Sequence, residues 1–333
     1  MTGVDVAFDH RQTAHCESGV VSNLLREQGT ELSEAMVFGI GAGLTFAYLP
    51  FISLGGQPLI SYRMPPRSIM RGVSKRLGVR MRYQTFRSAD AGARALDDEL
   101  AAGRVVGLQA SVFWLPYFPP DMRFHFNAHN LIVYGKRGDT YLISDPVFEH
   151  PVECDAESLT RARFVKGALA PHGLLYNPTR VPDDLALEPA IYGALRFTTG
   201  MMLHSPVPLI GLSGMRLVAR RIRGLDPRRH NQNKLLLGHI VRMQEEIGTG
   251  GAGFRFLFAA FLQEAAQATG RPVLSDIAAQ LTTAGDEWRR LALLCARMCK
   301  DRDGTDYERL SGLLLEISKL ERAVYQRIRK EVR

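Results

Sequence analysis

The segment that most constrains the fold is residues 129–146, with the sequence HNLIVYGKRGDTYLISDP. An apolar run, LIVYG, is followed by a polar turn containing a glycine and by a second apolar run, TYLIS. This pattern predicts a β-hairpin. His129 opens one strand and Asp145 closes the other, and residues at the open end of a hairpin are neighbours across the ladder. The sequence therefore predicts that this imidazole and this carboxylate come within hydrogen-bond distance.

Cys16 lies directly before residues 18–29, where apolar side chains at helical spacing and a final glycine predict a helix. A thiol at a helix start lies at the positive end of the dipole, where a thiolate is stabilised and a backbone N–H can stabilise an oxyanion. A cysteine by itself is more often a small buried side chain. In combination, Cys16, His129 and Asp145 predict a nucleophile, its general base and the group that orients the base.

Four polar residues near these three have weaker assignments. Gln12, four residues before Cys16, carries a side-chain amide and is a candidate donor to the oxyanion. His15 is a candidate for tuning the thiol or for a second base. Glu17 is expected to stabilise the first helical turn. Asn130 alternates to the other face of the strand, which favours a structural role.

The chain of 333 residues is 46% hydrophobic, which excludes disordered and fibrous proteins. Prolines recur at positions 171, 178 and 182, and from residue 190 onward the pattern is helical, most clearly at residues 310–325. We therefore predict two domains, residues 1–182 and 183–333. The expected class is α+β, with a mixed N-terminal domain and a mostly helical C-terminal domain.

Residues 35–62 carry no charge and are long enough to cross a bilayer. The segment is interrupted by Gly39, Gly41, Gly43, Pro50, Gly55 and Gly56, which favours buried strands and tight turns instead. The first 16 residues lack the apolar core of a secretory signal, so we expect a cytoplasmic protein that is not bound to a membrane. Four cysteines are too few for a disulfide scaffold and indicate a reducing compartment.

Lysine and arginine number 42 against 34 acidic residues, a net charge of +8. Such an excess suits an acidic partner, although no nucleic-acid-binding module accompanies it. The densest basic stretch is residues 216–234, which is either a docking surface or a solvated helix face. Its candidate contacts are Arg220, Arg221, Arg228 and Arg229.

A glycine-rich loop precedes a helix in the second half of the chain and contains Gly248, Thr249, Gly250 and Gly251. Such a loop can bring backbone N–H groups to a phosphate. It lacks the Lys-Ser/Thr ending of a P-loop, so nucleotide hydrolysis is not expected. A tight connection between helices is the alternative. Cys295 and Cys299 lack a zinc-like ligand pattern, and no metal is expected.

Beyond these residues, the order Cys, His, Asp resembles that of papain-like cysteine enzymes, and the hairpin is similar to that of leader peptidases that cut after double glycine. The chain more closely resembles the BtrH family of butirosin biosynthesis. That resemblance spans about residues 10–300. It depends on the motifs HCES at 15–18, LSEAMVFG at 32–39, His129-Asn130 in the hairpin, and GTGG at 248–251 before FRFLFAAFLQEA.

The resemblance implies an acyltransferase that moves an acyl or aminoacyl group from a carrier-protein thioester, through an acyl-Cys16 intermediate, to a small-molecule amine. The 4′-phosphopantetheine arm of an acidic acyl carrier protein would be the donor, with no cofactor bound directly. His129 would shuttle protons and Asp145 would orient it.

Several alternatives stay open. A cysteine hydrolase, either a thioesterase or a peptidase, would use the same three residues. A basic binding module without catalysis is the alternative from another class. A cyclised product and a homodimer are also open.

Overall fold

The computed structural model describes residues 4–301 and 306–332. These residues form two compact units, Met1–Val37 with Val73–Leu185, and Phe38–Gly72 with Ala186–Arg333. The mixed α+β class and the helical C-terminal region are as expected. The domain division at residues 182 and 183 stays a prediction. Residues 38–72, which the sequence pattern assigned to the N-terminal domain, are grouped with the second unit.

Elements are numbered in chain order. The strands are β1 (Val4–Asp5), β2 (Leu44–Leu54), β3 (Gln57–Arg63), β4 (Arg80–Gln84), β5 (Val106–Ala110), β6 (His129–Arg137), β7 (Thr140–Ser144), β8 (Val152–Asp155) and β9 (Leu175–Arg180). The α-helices are α1 (Cys16–Glu27), α2 (Glu34–Ile40), α3 (Ser68–Leu77), α4 (Ala89–Ala101), α5 (Ala156–Phe164), α6 (Leu187–His204), α7 (Gly211–Arg223), α8 (His230–Val241), α9 (Arg255–Thr269), α10 (Val273–Cys299) and α11 (Tyr307–Glu331).

The first unit contains a seven-stranded sheet in the order β4-β9-β5-β6-β7-β8, with β1 also paired to β6. All of its pairings are antiparallel. Strands β6 and β7 form the predicted hairpin, with Ile132 opposite Ser144. The sheet thereby brings the end of β7 beside the start of β6.

Successive residues of β6 face opposite sides of the sheet. Leu131 and Val133 join an apolar core with Leu108 of β5 and Ile143 of β7. Helices α4 and α5 contribute to the same core. Asn130 faces the other side, where α1 packs against β5 and β6.

The second unit contains a separate hairpin of β2 and β3. Gly55 and Gly56 form its two-residue turn, and both have positive φ angles, which glycine adopts without strain. Residues 44–48 are buried as expected, but residues 50–53 are exposed, so the expectation of a buried segment is wrong for the outer half of the hairpin. Within the described residues, no helix is both long and apolar enough to cross a membrane.

A buried polar network joins the long helices of the second unit. Arg255 of α9 makes a two-pronged ion pair with Glu321 of α11, at 2.8 and 3.2 Å. The same carboxylate accepts hydrogen bonds from Trp288 of α10 and from Tyr325. Because the buried charges are paired and hydrogen-bonded, their burial is tolerated and fixes how α9, α10 and α11 pack.

Candidate active site

Cys16 is the first residue of α1, and its side chain is nearly buried. His15, the candidate auxiliary residue, is the N-cap, and its Nδ1 atom accepts the backbone N–H of Ser18 at 3.4 Å. Glu17 is buried in the first turn. The sulfur therefore lies at the positive end of a capped helix, where negative charge on it is stabilised.

A partly buried carboxylate holds the segment that precedes the cysteine. Glu34 accepts the backbone N–H groups of Ala14, at 2.9 Å, and of His15, at 2.7 Å. It also accepts the hydroxyl of Ser18 at 3.1 Å. Burial raises the pKa of Glu34, and the three hydrogen bonds oppose that shift. Glu34 belongs to the motif LSEAMVFG, but no sequence pattern indicates that it holds the cysteine segment.

His129 connects the sulfur to the carboxylate at the end of β7. Its Nε2 atom lies 2.6 Å from Oδ2 of Asp145. The ring also hydrogen-bonds to Cys16, and with Nε2 engaged by Asp145, Nδ1 is the nitrogen left for the sulfur. The three predicted residues thus form one hydrogen-bonded chain, and both His129 and Asp145 are buried.

The charges around His129 favour an ion pair between its ring and the sulfur of Cys16. Burial lowers the pKa of His129, but the negative charges of Asp145 and Cys16 and their hydrogen bonds more than offset it and raise the pKa to about 10. His129 therefore carries a proton at neutral pH. Its positive charge beside the sulfur in turn favours a thiolate at Cys16, which is the form that attacks carbonyl carbon.

Asp145 is held by two further groups. Tyr117 donates its hydroxyl to Oδ2 at 2.9 Å, and the backbone N–H of Val147 donates to Oδ1 at 3.2 Å. Burial and the adjacent carboxylate raise the pKa of Tyr117 well above its ordinary value, so it stays a donor. Tyr117 lies in a proline-rich loop without a periodic pattern, and no feature of the sequence indicates its role.

Asn130 lies on the same side of the sheet as Cys16. Its Nδ2 atom is 3.8 Å from the sulfur, and its Oδ1 atom accepts the hydroxyl of Tyr176 at 2.9 Å. The predicted alternation is present, with His129 and Asn130 on opposite faces of β6. Helix α1 covers the face that carries Asn130, and the apolar core with α4 and α5 lies on the other face. Asn130 therefore contacts the candidate nucleophile.

The loop before Cys16 is bound to the loop after β7. His10 contacts the Ser144 hydroxyl at 2.7 Å, and Thr13 donates its backbone N–H to the Pro146 carbonyl. Gln12, the candidate oxyanion donor, is exposed, and its amide lies 3.5 Å from the Val147 carbonyl. These contacts direct Gln12 toward the loop that follows Asp145.

The family model of butirosin biosynthesis protein H, N-terminal, matches residues 15–146, a range that begins one residue before Cys16 and ends one residue after Asp145. The chain belongs to the butirosin biosynthesis protein H family. A second model, a domain of unknown function named DUF4872, matches residues 157–328 of this family member.

No curated protein matches the chain. Among solved structures, a Bacillus anthracis protein described as a C39-like peptidase matches with 14% sequence identity and a TM-score of 0.37. The match covers 55% of this chain and all of the other. The family match, rather than this structural likeness, supports the function proposed below.

In this butirosin biosynthesis protein H relative, the glycine-rich loop already has internal partners. The backbone N–H of Gly251 donates to the Thr249 hydroxyl at 3.1 Å. The N–H of Ala252 donates to both carboxylate oxygens of Glu245 at 3.2 Å. A carboxylate of the chain itself thus accepts the N–H that directly follows this loop, and the role of Gly248, Thr249, Gly250 and Gly251 in phosphate binding stays a prediction.

The four candidate arginines, Arg220, Arg221, Arg228 and Arg229, are all exposed. None of them forms an ion pair with a residue in the described ranges 4–301 and 306–332. All four cysteines lie in the described part of the chain, and none of them forms a disulfide. Among the described residues there is also no cluster of His, Cys, Asp and Glu that could hold a metal ion.

Proposed function

We propose that this family member is a papain-like acyltransferase that takes an acyl or aminoacyl group from a carrier-protein thioester onto Cys16 and delivers it to an amine. The observation that carries the proposal is the hydrogen-bonded chain of Cys16, His129 and Asp145 inside the range matched by a biosynthetic family. A nucleophile, a proton carrier and a group that orients the carrier are what acyl transfer requires.

In the first half-reaction, the Cys16 thiolate attacks the thioester carbonyl carbon and forms a C–S bond. The oxyanion that develops is stabilised at the positive end of α1. The bond to the phosphopantetheine sulfur then breaks, and His129 gives its proton to that leaving thiolate. The acyl group is now a thioester of Cys16, close in energy to the one it replaces.

In the second half-reaction, the amine nitrogen attacks the acyl-Cys16 carbonyl. His129, now neutral, takes the proton from the nitrogen, and the C–S bond breaks to release an amide and the Cys16 thiolate. Asp145 stabilises His129 each time it becomes positive and keeps its Nδ1 atom directed at the sulfur.

Intact-mass measurement tests the first half-reaction. The protein is mixed with a holo acyl carrier protein loaded in turn with a panel of short acyl and aminoacyl groups. We expect a mass increase equal to one acyl group, absent in Cys16→Ala. Cys154→Ala is the matched control. Burial raises the pKa of Cys154 to about 12, so its thiol should stay unmodified and the variant should gain the same mass as the wild type. A wild-type protein unlabelled by the whole panel would contradict the proposal.

Release of the acyl group separates a transferase from a hydrolase with the same three residues. We expect small primary amines to speed the loss of the acyl group from Cys16 and to yield amides, detected by mass spectrometry. If water releases it at a rate that no amine changes, the protein is a thioesterase or a peptidase. If the protein binds an acidic carrier but Cys16 is never acylated, the non-catalytic binding module is correct.

A further inference from the structure

We infer that Asn130 is a catalytic residue, whose side-chain amide donates a hydrogen bond to the oxyanion that forms when Cys16 attacks the thioester. The inference rests on the proposed function, because this oxyanion exists only if Cys16 is acylated. It gives Asn130 the task for which the sequence indicates Gln12. The residues that carry it all lie in the first unit.

The amide nitrogen of Asn130 carries two N–H groups, and each of them has a partner in the structure. Nδ2 lies 3.1 Å from the carbonyl oxygen of Ala128 and 3.8 Å from the sulfur of Cys16. One N–H therefore bonds to the backbone just before β6, and the other is directed at the candidate nucleophile.

The direction of this amide is fixed by its neighbours. The Ala128 carbonyl can only accept a hydrogen bond, so it must face the nitrogen of the amide and not its oxygen. The amide oxygen accepts the hydroxyl of Tyr176 at 2.9 Å. Asn130 and Tyr176 are both fully buried, so solvent does not compete for these bonds. Rotating the amide by half a turn would place two oxygens against each other at Ala128, so Nδ2 stays directed at the sulfur.

A glycine on the neighbouring strand makes room for Tyr176. Gly107 of β5 lies opposite Tyr176 of β9 in the sheet. A Cβ atom at Gly107 would lie 2.5 Å from the Tyr176 ring, so the ring occupies the space that any other side chain would fill. The sheet thus holds the tyrosine that holds Asn130. The donor is therefore preorganised, as stabilisation of an oxyanion requires.

A donor beside the sulfur is also beside the oxyanion. In the tetrahedral intermediate, the sulfur of Cys16 and the negative oxygen are bonded to the same carbon. As the C–S bond forms, negative charge leaves the sulfur and collects on that oxygen. An N–H directed at the sulfur can follow this charge with a small movement, at the positive end of α1 where both charges are stabilised. When the carbonyl forms again, the electron pair passes to the leaving sulfur, and Asn130 is unchanged.

The side chain of Gln12 is directed elsewhere. Its amide lies 3.5 Å from the Val147 carbonyl, in the loop after β7, and the residue is exposed. The next residue, Thr13, is bound to the same loop by its backbone N–H. Burial also favours Asn130 over Gln12, because a hydrogen bond to an oxyanion contributes more where water is excluded.

Two reactions of Cys16 separate an effect on the oxyanion from an effect on the sulfur. Acylation by a loaded carrier protein passes through an oxyanion, whereas iodoacetamide forms a C–S bond, releases iodide and forms no oxyanion. We expect Asn130→Ala to slow acylation about 100-fold, the usual effect of losing one oxyanion donor, with alkylation at pH 7 within about 2-fold of wild type. Unchanged acylation, or equal slowing of both reactions, would overturn the inference and leave the proposed function standing.

Asn127→Ala is the matched control. Asn127 is another buried asparagine of the first unit, and its amide donates to the Ala168 carbonyl at 2.9 Å. This variant should lose a similar hydrogen bond and acylate as the wild type does. If it slows acylation as much as Asn130→Ala, the effect is one of stability and the inference fails.

Gln12→Ala tests the competing donor. If Gln12 stabilised the oxyanion, this variant would slow acylation about 100-fold and Asn130→Ala would not. That pair of results would return the role to Gln12. The expected pair is the reverse, with the large loss in Asn130→Ala.

Nuclear magnetic resonance of the wild-type protein provides a measurement that needs neither a folded variant nor acylation. Acetaldehyde adds to Cys16 by forming a C–S bond, and its oxygen, which takes the proton of His129, lies where the oxyanion would form. We expect the side-chain amide protons of Asn130 to shift downfield when this adduct forms, and unshifted signals would overturn the inference. If no thioester acylates Cys16, the proposed function fails, while this spectrum still decides whether Asn130 donates to an oxygen on the attacked carbon.

Discussion

Glu34 accepts the backbone N–H of His15 at 2.7 Å, so a partly buried carboxylate holds the residue directly before the candidate nucleophile. It holds the N–H of Ala14 in the same way. Because two consecutive amides bond to one side chain, the chain enters α1 in a single conformation. The position of the Cys16 sulfur therefore depends on a residue from the start of the next helix.

Glu34→Gln tests that dependence. An amide keeps the shape of the side chain but offers a single acceptor oxygen, so one backbone N–H loses its partner. We expect acylation of Cys16 to slow about 10-fold or more, the usual effect of losing a hydrogen bond to a charged group. Glu31→Gln is the control, because Glu31 lies in an exposed pair with Arg11, and such pairs contribute little. Equal rates in the two variants would show that Glu34 does not position Cys16.

Stability should depend on pH through His129. Its pKa in the folded protein, about 10, exceeds the ordinary value of 6.5. The extra stability from its protonated form is thus complete below about pH 6.5 and is lost as the pH rises through about 10. We expect the free energy of unfolding in urea to fall between these values. Asp145→Asn should make the decrease in unfolding free energy smaller, because it removes a negative charge that raises the pKa of His129. An equally steep decrease in this variant would show that Asp145 does not raise the pKa of His129.

Tyr117→Phe removes a hydrogen bond to Asp145 while keeping the ring. We expect kcat to fall about 10-fold with KM for the acyl donor unchanged, and stability to fall by about 1 kcal/mol. Tyr141→Phe removes a similar bond, to Asp97, elsewhere in the first unit. It should cost similar stability and leave kcat unchanged. A loss of kcat in both variants would indicate a general effect of destabilisation.

Asn130→Asp places a negative charge close to the sulfur of Cys16, which is itself negative as a thiolate. A like charge disfavours the thiolate, so alkylation of Cys16 by iodoacetamide at pH 7 should slow about 10-fold. Tyr176→Phe serves as the control, because it releases the Asn130 carbonyl without adding charge. Alkylation of Asn130→Asp at the wild-type rate would mean that this side chain does not act on the sulfur.

Gly19→Ala tests how closely the loops pack onto α1. A Cβ atom at Gly19 would lie 1.9 Å from the Thr13 hydroxyl oxygen and 3.0 Å from Cβ of Pro146, so the loops on both sides of the site would have to move. We expect a loss of about 1–3 kcal/mol in unfolding free energy, together with slower acylation.

Gly193→Ala in α6 provides the comparison, since nothing lies within 4 Å of its added Cβ atom. There we expect a gain of about 0.5–1 kcal/mol, because alanine favours helix over glycine. Thermal or urea unfolding of both variants checks the sign. Similar changes in both would contradict the close packing at Gly19.

Local pattern was sufficient for part of this site. Strand alternation and the turn predict the hairpin, and with it the proximity of His129 and Asp145, because hairpin partners are set by residues close in sequence. The helical spacing predicts a helix over residues 18–29, and α1 spans Cys16–Glu27, so the helix begins two residues earlier than the spacing indicates. Both inferences need only short-range geometry.

The remaining contacts depend on which surfaces meet in the fold. Tyr117 and Glu34 reach their partners from segments whose sequence has no period. Strand alternation predicts that His129 and Asn130 lie on opposite faces of the strand, but it does not predict which face α1 covers. For that reason the sequence favours a structural role for Asn130, although its side chain contacts Cys16 in the structure. The outer half of the β2–β3 hairpin is exposed although it is uncharged, since composition alone does not determine burial.

The two faces of β6 have a consequence for how this family can vary in length. Consecutive residues, His129 and Asn130, serve the site from opposite sides of one strand. A single-residue insertion between Asn130 and the centre of the strand would exchange their directions and separate both from the sulfur and the carboxylate. The turn at residues 138 and 139 is free of that constraint. Relatives that share this chemistry should therefore differ in length at the turn and keep an invariant spacing from His129 through the centre of the strand.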